Sequence, residues 1–214
     1  MDNNNLPVAR EGLPFIFLFA FITLIFAVLG WRCLATIGLA LSLFTAYFFR
    51  DPERHCPTEE SAVIAPADGK IVFCGEVEEG RYFKGAAFKV SIFMSVFNVH
   101  VNRAPCSGNV VDTYYNKGEF LNASLDKASL KNEQAGVWMK TESGHNLLFV
   151  QIAGLIARRI VTYVKPGDSL SQNSRYGLIR FGSRVDVYFP VGSEIQVSLG
   201  DRTVAGESIL GYLK

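Results

Sequence analysis

The chain is poor in the residues that build metal and disulfide sites. His55, His100 and His145 are its only histidines, and no HxH or HExxH spacing joins them, which removes the usual histidine zinc motifs. Cys33, Cys56, Cys74 and Cys106 form no CxxC pair, and Cys33 lies in an apolar run, so reduced thiols in a chain facing the cytoplasm are expected in place of a disulfide framework. Net charge is almost absent. With 21 basic and 20 acidic residues the formal balance is +1, which offers no general attraction for nucleic acid, and no nucleic-acid partner is expected. No longer internal repeat and no low-complexity tract occurs in the 214 residues, a length that suits one compact domain plus an attached segment.

What the chain has in excess lies at its N-terminus. Mean hydropathy is +0.20, and most of it comes from two uncharged runs, the twenty residues Gly12–Trp31 and the seventeen residues Cys33–Phe49, separated only by Arg32. A helix rises about 1.5 Å per residue, so roughly twenty residues cross the hydrocarbon of a bilayer. Both runs are near that length. They predict an N-terminal transmembrane helical hairpin, residues 1–54, ahead of a β-rich domain, residues 55–214. A secretory signal and a pair of buried soluble helices are the competing readings, and Glu11 before the first run and the second run behind it count against the signal. A hairpin returns both ends to one side. Arg10, Arg50 and Arg54 flank those ends against Arg32 in the turn, which places the main domain on the cytoplasmic face of the cytoplasmic membrane. Tyr47, Phe48 and Phe49 beside Arg50 suit the membrane–water interface.

Past Asp51-Pro52-Glu53-Arg54 the sequence changes character, and short β-rich runs alternate with glycine and polar turns. Lys70–Cys74, Ala87–Met94, Asn109–Tyr115, Leu147–Ile152, Ile160–Val164, Val185–Phe189 and Ile195–Leu199 read as strands. The pattern predicts a mainly β fold, an antiparallel β-sandwich or open barrel with one or two short helices, one of them around Ala123–Gln134. Val164–Leu170 and Pro66–Ile71 are similar to a turn-and-strand unit of lipoyl and biotinyl carrier domains. No lysine sits at a hairpin tip between methionines or aliphatic residues, so that likeness is one of fold and not of function.

The chemistry concentrates at Gly182-Ser183, inside the stretch from Gly177 to Tyr188. A serine hydroxyl can attack the carbonyl that precedes it, turning amide into ester, when the backbone is strained and a base removes the proton. Gly182 has no Cβ to block that approach and tolerates angles closed to other residues. Alone, a Gly-Ser pair is a turn leading into a strand. It does not stand alone. Pro66-Ala67-Asp68-Gly69-Lys70, Val99-His100-Val101-Asn102-Arg103-Ala104-Pro105, Gly118–Ala123, Leu125–Ser129 and Gln151–Gly154 with Arg158-Arg159-Ile160 follow one another in order. Together these motifs closely resemble the phosphatidylserine decarboxylase proenzymes, and more narrowly their short, membrane-anchored bacterial and archaeal branch. The resemblance covers most of residues 50–214.

That resemblance implies a self-processing, pyruvoyl-dependent decarboxylase that converts phosphatidylserine to phosphatidylethanolamine and carbon dioxide. Ser183 Oγ would attack the Gly182 carbonyl, the ester would undergo β-elimination, and hydrolysis of the dehydroalanine would leave a pyruvoyl group at position 183. Residues 1–182 would form a large chain and residues 183–214 a small one, the two remaining associated. The ketone of such a group forms a Schiff base with the substrate amine and takes the electron pair left by carbon dioxide, the service that pyridoxal phosphate supplies elsewhere. Neither a metal nor pyridoxal phosphate is expected. The alcohol needs a base, and His100 and Asp68 occupy the motif positions that complete a Ser-His-Asp relay. Taken singly, Asp68 in Ala-Asp-Gly reads as a turn residue and His100 as a packed or surface histidine. Asn98 stands where many family members carry aspartate, and one histidine stands where the longer branch has two, so His100 is a candidate both for self-cleavage and for later proton transfer.

Lys127 could attract the head-group phosphate and Asn122 could hydrogen-bond it, with a solvated amphipathic helix as the equal alternative. Arg158 and Arg159 could sit near anionic head groups, where a cationic side chain gains about 1 kcal/mol, or pair with Asp or Glu. His145 belongs to no motif and reads as a loop imidazole. Two other functions stay open: a decarboxylase of another serine phospholipid such as archaetidylserine, since the motifs address the head group and not the tails, and a noncatalytic membrane-anchored carrier-like β-module. A homo-oligomer is also left open.

Overall fold

The computed structural model describes residues 7–59, 61–118, 132–154, 159–180 and 182–214. The chain forms two compact units, Met1–Glu53 and Arg54–Lys214.

The first unit is helical. A 3-10 turn, Arg10–Gly12, leads into α1, Leu13–Val28, with Pro14 near the helix start, where its missing N–H costs no hydrogen bond. A turn through Leu29–Trp31 reverses the chain into α2, Arg32–Phe48. The hydroxyls of Thr23, Ser42 and Thr45 donate to carbonyls four residues back at 2.7, 2.9 and 2.7 Å, so these polar groups are satisfied within their own helices, as an apolar surrounding requires. Phe17, Leu18, Phe21 and Leu24 are exposed. By length and composition Arg10–Val28 can cross a bilayer, and Arg32–Phe48 is apolar but shorter. The unit is closed at its base by a β-bridge between Val8 and Arg50 and by an Ala9 N–H to Phe49 carbonyl bond of 2.8 Å. Both ends of the hairpin therefore meet. The apolar helix is compatible with membrane association.

The second unit is mainly β. Its strands are β1 (Ala62–Ile64), β2 (Gly69–Glu79), β3 (Gly85–Met94), β4 (Val101–Arg103), β5 (Gly108–Asn116), β6 (Gln134–Thr141), β7 (Asn146–Ala153), β8 (Ile160–Thr162), β9 (Ser169–Leu170), β10 (Arg175–Ile179), β11 (Ser183–Phe189), β12 (Glu194–Ile195), β13 (Arg202–Thr203) and β14 (Ile209–Tyr212). The main sheet is antiparallel and curled, in the order β13-β2-β3-β11-β7-β6-β5-β9, and two small sheets, β4-β10-β8 and β1-β14-β12, complete the unit. Strand β11 runs through the middle of the main sheet, between β3 and β7.

Alternation along β11 explains its central position. Val185, Val187 and Phe189 join Val90, Ile92 and Phe149 in one core, where full burial stabilises by about 1.5–3 kcal/mol per large apolar side chain. The opposite face carries Leu148, Val150 and Ile152 under an aromatic cover from Tyr82, Phe83, Tyr114, Trp138 and Tyr188. Tyr82 stacks on Trp138 and Phe83 meets it edge-on, both with ring centroids 5.0 Å apart. Arg184 and Asp186 project to that second face and form a buried ion pair of 2.7 Å.

The expected strands in the main sheet are present with small changes of boundary. Ile195–Leu199 is different: only Glu194–Ile195 is a strand. The helix expected around Ala123–Gln134 lies outside the described residues up to position 131, and its end is not helical, since Gln134 begins β6. Strand β6 is buried along most of both faces, so it lacks the alternation that marks a half-buried strand.

Candidate active site

Strand β10 belongs to a small sheet and β11 to the main one, so the chain changes sheets between Ile179 and Ser183. Gly182 makes the change at φ +68°, a left-handed backbone that costs a residue with a Cβ about 1–2 kcal/mol. A Cβ placed on it would meet nothing within 4 Å, so the backbone angle and not crowding demands glycine. The Gly182 carbonyl accepts a hydrogen bond from the Gly154 N–H at 3.1 Å. A donor fixed on that oxygen stabilises the negative charge that develops there when the carbon is attacked.

His100 reaches this bond because β4 pairs with β10, and the Ile179 N–H donates to the His100 carbonyl at 3.3 Å. The imidazole is fully buried. Its Nδ1 lies 2.9 Å from the Asn98 carbonyl, and its Nε2 lies 3.4 Å from the Gly182 nitrogen. A carbonyl oxygen can only accept, so Nδ1 carries the proton and Nε2 is the unprotonated nitrogen, which accepts from the Gly182 N–H one peptide before the Gly182 carbonyl. The Asn98 carbonyl is held by a turn in which the Asn98 N–H donates to Ser95 O at 3.0 Å. The Asn98 side-chain oxygen accepts from the Ser95 N–H and Oγ at 2.9 and 2.8 Å. That oxygen is used only as an acceptor, which aspartate would also offer.

Ser183 lies opposite Met94 on β3 and Ala153 on β7, and it is fully buried. Its hydroxyl donates to Met94 Sδ at 3.3 Å. The same sulfur lies 3.7 Å from Asn102 Nδ2, while Asn102 Oδ1 accepts from Gln151 Nε2 at 2.8 Å and Gln151 Oε1 accepts from Thr162 Oγ1 at 3.1 Å. A buried amide chain with its members bonded to one another is a rigid support. Asp68 lies elsewhere in the network. It ends the turn before β2, where a Cβ on Gly69 would collide with the Phe93 carbonyl. Its carboxylate accepts from Arg54 at 2.9 and 3.1 Å and from the Ala205 N–H at 2.8 Å. Among the described residues Asp68 is thus bonded to Arg54 and Ala205 and not to His100.

Of the remaining expected site residues, Arg159 is exposed, and its carbonyl accepts from the Arg180 N–H at 3.2 Å, two residues before Gly182. Asn122, Lys127 and Arg158 lie outside the described residues. His145 sits in the β6–β7 hairpin, where its N–H donates to Thr141 Oγ1 at 3.0 Å. No cluster of His, Cys, Asp and Glu that could hold a metal ion occurs among the described residues. Four participants were not foreseen: the Asn98 carbonyl, the Gly154 N–H, Met94 and Arg54. Two are main-chain groups, which no residue type announces.

A profile described as phosphatidylserine decarboxylase matches residues 41–211. Proteins named phosphatidylserine decarboxylase proenzyme align along the whole chain, that of Syntrophotalea carbinolica at 60% identity over 214 residues and that of Geotalea uraniireducens at 51% over 213, each covering 100% of both chains. The chain belongs to the phosphatidylserine decarboxylase family. A further relative of the same name, from Desulfotalea psychrophila, is 50% identical over 97% of each chain. Asp68, His100, Gly154, Gly182 and Ser183 all fall within the matched residues.

Proposed function

We propose that the chain is a self-processing decarboxylase that converts phosphatidylserine to phosphatidylethanolamine and carbon dioxide with a pyruvoyl group made from Ser183. The observation that carries this reading is that Gly182 is held from both of its ends, its carbonyl by the Gly154 N–H and its own N–H by the His100 imidazole, in a chain whose relatives are named proenzymes. His100 Nε2 takes the proton of Ser183 Oγ, and the oxygen bonds to the Gly182 carbon while Gly154 steadies the charge on the carbonyl oxygen. The Gly182–Ser183 C–N bond then breaks, and His100 returns the proton to the Ser183 nitrogen. A base takes the Ser183 Cα proton, the Cα–Cβ double bond forms as the Gly182 carboxylate leaves, and the resulting enamine regains a proton at Cβ to become an imine. Water replaces the nitrogen, which leaves as ammonia.

In this reading Ser183 is the nucleophile, His100 the base and Asp68 a more distant negative charge. The Asn98 carbonyl does the tautomer-fixing work that the Ser-His-Asp order assigned to Asp68. Position 183 suits a pyruvoyl group, because the Met94 thioether is polarizable enough to sit against either a hydroxyl or a methyl. A pyruvoyl group at position 183 would supply a ketone to hold the substrate amine and a neighbouring carbonyl to spread the electron pair released with carbon dioxide. Pairing of β11 with β3 and β7, of β13 with β2 and of β14 with β1 supports continued association of residues 183–214 with residues 1–182. The apolar helix Arg10–Val28 supports an anchor in the cytoplasmic membrane, with residues 55–214 in the cytoplasm by the arginine asymmetry. Arg159, exposed beside the cleavage segment, supports a head-group contact shared with Asn122, Lys127 and Arg158.

The test is processing of the purified chain. Wild type yields two fragments without added protease, the small one beginning at position 183, and Ser183→Ala remains one chain. The processed protein releases carbon dioxide from phosphatidylserine without pyridoxal phosphate, and reduction with cyanoborohydride leaves substrate mass on the small fragment. Fragments from Ser183→Ala, or trapping on a lysine of the large fragment, overturn the reading.

A further inference from the structure

Ser183 Oγ does not point at its base. Among the described residues its hydrogen bond goes to Met94 Sδ at 3.3 Å, while His100 Nε2 accepts from the Gly182 N–H at 3.4 Å. Ser183 and Met94 are both fully buried, so no solvent competes for the hydroxyl. The sulfur is itself fixed. Met94 ends β3 directly opposite Ser183, and its thioether also lies against the Asn102 amide, which is tied to Gln151 and Thr162. The hydroxyl is therefore parked on a weak acceptor built into the sheet register, and it must leave that acceptor before it can give its proton to the imidazole.

We infer that Met94 is a positioning residue that holds the Ser183 hydroxyl off His100 and thereby sets the pace at which the chain cuts itself. The inference rests on Ser183 being the nucleophile. A thioether accepts a hydrogen bond but cannot take the proton, so the parked state is satisfied and unreactive. Replacing the sulfur by a methylene keeps the shape and removes the acceptor. The buried hydroxyl then has to turn to another acceptor, which in the proposed reaction is His100 Nε2, in place of the long Gly182 N–H bond that nitrogen holds, and the reactive arrangement becomes more populated. A weak neutral hydrogen bond corresponds to a cleavage rate roughly two- to fivefold higher when it is removed. A hydroxyl donating to the neutral ring also favours that form, so the acid limb of the rate profile moves to lower pH.

The chain has three methionines, Met1, Met94 and Met139, which makes the sulfur replaceable at one internal site. Cell-free synthesis of Met139→Leu with norleucine in place of methionine gives a full-length precursor that differs from its control at Met94 and at the initiator alone. Aliquots quenched over time and weighed intact give the cleavage rate across pH, and Met94→Leu provides a second variant. The expected result is faster cleavage by about two- to fivefold with the acid limb shifted down. Equal or slower cleavage by a norleucine precursor whose circular dichroism matches the control overturns the inference, whether or not Met94→Leu folds. Ser183→Ala in the same norleucine background separates the two readings: fragments from it refute the nucleophile assignment, whereas an intact chain together with an unchanged norleucine rate refutes the role of Met94.

Discussion

Asp68→Asn removes one charge whose partners are known, and the geometry fixes how much cleavage should suffer. A carboxylate bonded directly to the imidazolium would contribute about 1.5–3 kcal/mol, equivalent to a loss of roughly tenfold to more than a hundredfold in rate at about 1.4 kcal/mol per tenfold. Here the Asp68 oxygens are bonded to Arg54 and the Ala205 N–H, while His100 Nδ1 rests on the Asn98 carbonyl at 2.9 Å. The substitution leaves the Asn98 bond in place, so cleavage should slow by less than about tenfold. The larger effect falls on stability. The Arg54–Asp68 pair is mostly buried, with 13% of each side chain exposed, and an uncharged partner for Arg54 should cost about 1–3 kcal/mol. The assay is a time course of intact mass after cell-free synthesis, with circular dichroism and a thermal melt on the same sample. Slowing by more than about a hundredfold in a variant that remains folded would show that Asp68 reaches His100 during the reaction, and the tautomer argument would fail.

Other outcomes are equally specific. Asp186→Asn leaves Arg184 charged and buried beneath the second face of the main sheet, and breaking such a pair should destabilise by about 3–5 kcal/mol, read as a lower denaturation midpoint in the precursor. Deleting residues 1–50 keeps Arg54, and it should release a β-domain that still cleaves itself but turns over lipid in vesicles poorly; unchanged membrane partition would refute the anchor. Burial pushes the Cys106 thiol from 9.0 up to about 12. Because the folded value is the raised one, its contribution to stability is complete below about pH 9 and is lost as pH climbs toward about 12. Cys106→Val should flatten the alkaline end of the stability profile, and an unchanged profile would refute that assignment.

The sequence made the chemistry more legible than the architecture. Gly182-Ser183, His100 and Asp68 stood out because several ordered motifs surrounded them, and the structure brings His100 to Gly182. The strands with one wet face, such as β5, were legible from alternation. Strand β6 was not, because burial on both faces erases the period, and the two- and three-residue strands β4, β9 and β13 are too short to show one. Met94 looked like any core residue of β3, and its contact with Ser183 exists only through the pairing of β3 with β11. The Gly154 N–H and the Asn98 carbonyl belong to the backbone, so register and turn geometry, not residue type, put them to use. Arg54 had been weighed only as a flanking charge, yet it holds Asp68.

Under the proposed cleavage, the central position of β11 would make folding a one-way event. A strand that must be inserted between two neighbours can be laid down easily while it is still tethered to β10, since the tether keeps it close and in order. Cut as proposed, the same strand would begin at a free end, and a chain of 32 residues, 183–214, would have to find its slot from solution. Such a protein remembers its assembly but cannot repeat it. Its working life is then governed by how slowly it opens and not by the balance of folded and unfolded forms, and an enzyme once melted should stay inactive on cooling while an uncut Ser183→Ala chain recovers its fold.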